Sequence, residues 1–232
     1  MPAYLRPEVP PAVFVDAFGE PIAYGERWDG GSPPDDTYSV TSNLERFAPL
    51  HEVADALIAW LREGYDVTVE DSLDVATDLL RVPGSAIRAV RVGPRGETAS
   101  PLTFVFTSFP GIHLHAGFLV DASFPSCGCD ACDETWERCA DQLEETVFAV
   151  VDGGFSEGFV DGAELPVSFR LQFAGGWRGG TSRAQDQPAD RLEAAKPALL
   201  SGRTWAAWPR RPGGARVLIT APRLVDWLDA PR

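Results

Sequence analysis

Hydrophobic positions change their spacing several times along the 232-residue chain, and each change marks an element. Phe47, Leu50, Ala54, Leu57, Ile58 and Leu61 recur at helical steps, one buried stripe. Ser42 and Glu45 have capping-box spacing, so the helix is expected to begin near Ser42 and to stop at Gly64. The period then becomes two. Tyr65, Val67 and Val69 alternate with Asp66, Thr68 and Glu70, which predicts a half-buried strand. A short helical turn is expected over residues 74–80, and a strand over 86–92 closed by Gly93-Pro94-Arg95-Gly96. Residues 102–109 and 112–120 read as two further strands, and the short Pro110-Gly111 connection makes them an antiparallel hairpin.

Helical spacing returns over residues 135–151, where Trp136, Cys139, Ala140, Leu143, Val147 and Val150 form the apolar stripe and Gly153-Gly154 ends it. Val167, Phe169, Leu171 and Phe173 alternate with polar residues and make the clearest strand. Beyond a glycine-rich stretch around Trp177 and Arg178, a weaker helix is expected over 188–200 and another strand at Val217-Leu218-Ile219. Strands cluster between helices, so the fold class is α+β: a mainly antiparallel sheet with helices packed on one face. No repeat and no long linker divides the chain. One domain over residues 41–211 is expected, after an irregular proline-rich arm (1–40) in which Val13, Phe14, Val15 and Phe18 anchor a short strand, and before a tail (212–232).

Composition narrows the function classes. Hydrophobic residues at 44% and charged residues at 23% fit a globular chain, not a disordered one. A net charge of −14 argues against non-specific nucleic-acid binding, which needs a basic surface. No apolar run reaches the ~20 residues of a membrane span, and the start lacks an apolar signal core, so a cytoplasmic protein is expected. Residues 121–165 hold twelve acidic residues against one basic, a net of −11. Such a face suits a basic protein partner, because complementary fields speed association. The run from Arg203 to Arg211 mixes arginine with Trp205 and Trp208. It could stack on bases or a partner, but the net charge favours pairing with the chain's own acidic helix. Nothing in the pattern speaks to oligomeric state.

The candidate chemistry lies in Cys127-Gly128-Cys129-Asp130-Ala131-Cys132-Asp133-Glu134. Three cysteines within six polar positions have no reason to be there as core residues. One reading is a structural zinc site with Cys127, Cys129 and Cys132 as ligands and His113 or His115, two apart on one strand face, as the fourth. That requires residues 120–124 to fold back. Cys139 reads as a small core residue. An open coordination position with Glu134 or Asp133 as a nearby acid or base would instead suit a zinc-dependent hydrolase or transferase, with His113 or His115 left free for proton transfer. Cys129-Asp130-Ala131-Cys132 at a helix start would suit a thiol oxidoreductase, although the nearby acids oppose thiolate formation and the β-α-β order is missing. A local disulfide or plain reduced thiols remain open as well. No Gly-x-Ser-x-Gly elbow or phosphate-binding glycine loop is present. His51 reads as a solvent-edge residue of the first helix.

The cysteine signature after Phe124-Pro125 resembles the domain of unknown function family 6226, a bacterial group. Glu45-Arg46-Phe47-Ala48-Pro49-Leu50-His51, Gly180-Thr181-Ser182-Arg183-Ala184 and the Trp-x-x-Trp-Pro-Arg-Arg run ending at Arg211 are similar to the same family. The resemblance implies one domain and supplies no activity or catalytic residues. The expectation is therefore a non-enzymatic binding or regulatory domain. Its cysteine cluster holds one zinc ion that pins the sheet to the 135–151 helix.

Overall fold

The computed structural model describes residues 3–160 and 166–212. The strand expected at 217–219 lies outside them. Helix α1 spans Pro49–Gly64 and buries Leu50, Val53, Ala54, Leu57, Ile58 and Leu61. It starts later than the capping-box spacing suggests. A helix from Ser42 would hold Pro49 in its interior, where the ring meets the carbonyl four residues back. Pro49 instead takes the first turn, after a separate 3-10 turn at Leu44–Phe47 that Asn43 enters in the left-handed region (φ 50°). Ser42 caps nothing: its N–H donates to Asp130 and its carbonyl accepts from Arg46.

Five strands follow in sequence order as one antiparallel sheet: β1 Val67–Asp71, β2 Ala86–Pro94, β3 Leu102–Thr107, β4 Gly111–Ala116 and β5 Val120–Phe124. The β3–β4 pair is the antiparallel hairpin the sequence predicts, but it turns over residues 108–110, and Gly111 already pairs with Thr107 as the first residue of β4. At the β1 edge Tyr65 is buried, but Val69 is 37% exposed, so burial there is shallower than the alternation implies. The single strand expected over 112–120 is broken at 117–119. There the buried Glu157 carboxylate accepts the N–H groups of Phe118 and Leu119 and turns the chain back into β5.

Helix α2, Trp136–Val151, is capped by Thr135, whose side chain accepts from the Arg138 N–H. It packs on α1, β5 and β7 and so joins the first sheet to a second, ordered β8-β7-β6-β9. That sheet comprises β6 Phe155–Phe159, β7 Val167–Phe173, β8 Gly176–Ser182 and β9 Arg203–Thr204, with helix α3, Ala189–Leu199, before β9. β8 hides from hydrophobic pattern because three of its seven residues are glycine. A side chain at Gly180 would press within 2.9 Å of the Phe169 ring on the paired strand.

The molecule is thus an α+β domain with antiparallel strands throughout. Leu102, Phe104, Phe106, Ile112 and Leu114 face α1 and α2 in the main core. The opposite face of that sheet carries a small cluster of Val75, Ala76, Leu79, Ala89 and Val105 under the 3-10 turn Leu73–Asp78. Trp205 and Trp208 belong to the main core, and their indole N–H groups donate to Glu157 and to the Ser100 carbonyl. The 203–211 run is therefore neither a stacking surface nor the acidic helix's partner. Arg6 pairs with Asp141 and Glu144 on α2, and Arg178 with Glu145. Among the described residues no helix is long and apolar enough to cross a membrane.

Candidate metal centre

The cysteine loop runs from the end of β5 to the cap of α2, and the Phe124–Pro125 peptide at its start is cis. Glu134 shapes it. The N–H groups of Ser126, Cys127 and Gly128 donate to its carboxylate at 2.9, 2.9 and 2.8 Å. Gly128 sits at φ +80°, and an added side chain would lie 2.8 Å from the Phe109 ring, so both backbone conformation and space demand glycine. The result is convergence: the sulfurs of Cys127, Cys129 and Cys132 all lie within 4.8 Å of one another. Thiolates bound tetrahedrally to zinc stand about 3.8 Å apart, given a Zn–S bond of about 2.3 Å. Cys129 is buried, while Cys127 and Cys132 are exposed.

The thiols are electrostatically unequal. Burial alone would raise the Cys129 thiol. Hydrogen bonds from the Cys127 and Cys132 thiols and from the Cys132 and Ser39 N–H groups outweigh it and bring Cys129 down to about 7. Cys132, which donates to Cys129 and is further disfavoured as an anion by burial, is pushed up to about 12. The site stabilises one thiolate and resists a second without a cation. Cys139 stands apart in the core, pushed up to about 12 by burial and then by Glu134.

The proline-rich arm forms the other wall of the site. Ala131 and Asp130 donate their N–H groups to the carbonyls of Thr37 (3.1 Å) and Val40 (2.7 Å). The Ser42 N–H reaches Asp130 at 3.0 Å, the Arg27 N–H reaches Asp133 at 2.9 Å, and the Trp28 indole reaches the Ala131 carbonyl at 3.2 Å. Arg46, only 3% exposed, donates to the Gly128 carbonyl at 2.9 Å and lies with Arg27 3.7 Å from Asp130. Sequence reasoning missed Arg27 and Arg46. The available signal was an arginine placed directly beside Phe47 in an apolar stripe.

His113 and His115 are not brought to the cysteines. Ile112, Leu114 and Ala116 belong to the main core, so His113 and His115, which alternate with them, face the other way. His113 bonds Ser123 at 3.0 Å and His115 bonds Asp121 at 2.6 Å. Residues 120–124 do not fold back toward the loop, because they pair with β4 as β5. Among the described residues no further His, Cys, Asp or Glu joins the three thiols. Of the two carboxylates expected as acid or base, Glu134 is held by backbone N–H groups, and Asp133 accepts one through Oδ2 while its Oδ1 is buried without a hydrogen-bond partner. His51 is half-buried against Phe106, with its ring nitrogen 3.2 Å from the Gly111 carbonyl. Of the acidic face expected over 121–165, Asp161 and Glu164 lie outside the described residues; among those described, Asp121, Asp130, Asp141, Glu144 and Glu145 pair with His115, Arg27, Arg46, Arg6 and Arg178.

A family model described as a family of unknown function (DUF6226) matches residues 10–212, which takes in most of the arm, the cysteine loop and both sheets. No curated protein matches the chain, and no solved structure does.

Proposed function

The chain belongs to DUF6226, a family of unknown function, and on that footing we propose that it is a non-enzymatic binding domain held by a metal clip. Cys127, Cys129 and Cys132 take one soft divalent cation, zinc first. The clip fastens the arm (residues 24–46) and the loop to the start of α2. The observation that carries this reading is the convergence of three thiol sulfurs within 4.8 Å. A cation there neutralises thiolates that otherwise repel one another. The alternative of a zinc hydrolase or transferase loses support, because Glu134 is engaged by three backbone N–H groups, Asp133 is buried, and both histidines lie on the far face of the sheet. A second reading, thiol–disulfide chemistry between Cys129 and Cys132, is favoured by the lowered Cys129 thiol beside an exposed Cys132.

Elemental analysis of tag-free protein purified under reducing conditions separates the two. About one zinc per chain is expected in the wild type. Cys129→Ser is expected to lose it, while Cys139→Ser, His113→Asn and His115→Asn keep it. A metal-free wild type that loses two thiols on mild oxidation would replace the clip with the redox reading.

A further inference from the structure

We propose that the cavity between the arm and the start of α2 binds a small organic ammonium ion with an apolar body. The cavity has a volume of about 410 Å³, within the ~300–1,000 Å³ of small-molecule sites. Three of its lining residues are aromatic: Phe14 and Tyr24 from the arm and Trp136 from α2. Phe14 and Tyr24 meet edge to face, with ring centres 6.0 Å apart. The remaining wall is mostly proline and aliphatic, so a ligand's carbon skeleton would be desolvated there.

Charge selects the ligand class. Three charged side chains line the cavity: Glu45, Arg46 and Glu137. Arg46 is largely committed, only its Nε being left without a partner, and that atom is buried away from solvent. Its guanidinium donates to the carbonyls of Ser42, Asn43 and Gly128, lies 3.7 Å from Asp130, and stacks 4.3 Å from the rings of both Tyr24 and Phe47. Glu45 and Glu137 are exposed, and neither carboxylate has a hydrogen-bond or ion-pair partner among the described residues. Glu137 in the first turn of α2 suits the helix dipole, but that contribution leaves its oxygens open to a ligand. Two free carboxylates beside aromatic rings favour an alkylammonium over a carboxylate or a neutral molecule, and the overall charge of −14 acts in the same direction. This inference uses the placement of the arm and does not depend on a metal at the thiols.

Three probes of matched shape test it by titration calorimetry on the full chain: phenethylamine, 2-phenylethanol and 3-phenylpropionate. The amine is expected to bind about tenfold more tightly than the alcohol, with the acid weakest. Glu45→Gln with Glu137→Gln should bring amine and alcohol to about the same affinity, with only the small fall in unfolding temperature that loss of the Glu137 dipole contribution brings. If that variant does not fold, raising salt on the wild type serves instead, since it should weaken the amine and spare the alcohol. Equal binding of amine and alcohol, preference for the acid, or no binding of the amine would each overturn the assignment.

Discussion

Glu134 is the residue on which the cysteine loop turns, because three consecutive N–H groups end on its carboxylate. Glu134→Ala leaves those donors without a charged acceptor. The expected loss is about 2–3 kcal/mol, since hydrogen bonds to a charged group contribute about 1.5–3 kcal/mol and do not add fully. A urea unfolding midpoint measures it, and the same variant should hold less metal. Asp78 sets an acid limit on stability. Burial alone would raise its carboxyl, but hydrogen bonds from Arg91 and Thr103 and the Arg91 charge hold it below the ordinary carboxylate range. A depressed carboxyl stabilises the fold above its unfolded value and loses that contribution as pH falls through the folded one. Wild type should therefore exceed Asp78→Asn in stability near neutral pH, and denaturant titrations should show the gap closing as pH falls below the ordinary carboxylate range. At this scale the three clustered cysteines were legible, as was Cys139 as a core residue. The roles of Glu134 and Asp133 were not. A carboxylate reads alike as proton carrier or as backbone anchor until the N–H groups around it are placed.

Elements with strong period are legible in the sequence: α1 over its buried stripe, α2, and β7, whose bounds Val167–Phe173 coincide with the alternating run. Two of the misses share one cause, tertiary contacts that local spacing does not carry. The turn at 117–119 depends on Glu157, forty residues downstream, and β8 depends on the Phe169 ring lying over glycine. The start of α1 is different. Pro49 was visible in the sequence, and its first-turn preference outranks the Ser42–Glu45 spacing. The tryptophan run gives the sharpest test at this scale. Trp208 is 3% exposed and bonded to Ser100, so Trp208→Ala should cost about 3–5 kcal/mol in denaturant unfolding, as large buried aromatics do. A tail merely lying on the surface would shift stability by less than about 0.5 kcal/mol.

In the whole molecule, the fold class and the family were legible from pattern and motif, while the division of strands into two sheets was not. Nor was the arm's position. Its prolines mark irregular backbone correctly, but irregular is not loose: Tyr4 and Arg6 bond Glu144, and residues 27–46 wire into the cysteine loop. These contacts make the clip a claim about the whole chain, since removing the metal should free a wall of the domain without melting its core. Hydrogen–deuterium exchange with and without a chelator tests that directly. Residues 37–42 and 127–134 should lose protection when the metal is removed, while β3, β4 and α1 keep theirs. Protein that carries no metal, or exchange in the arm and loop that chelation leaves unchanged, would contradict the clip.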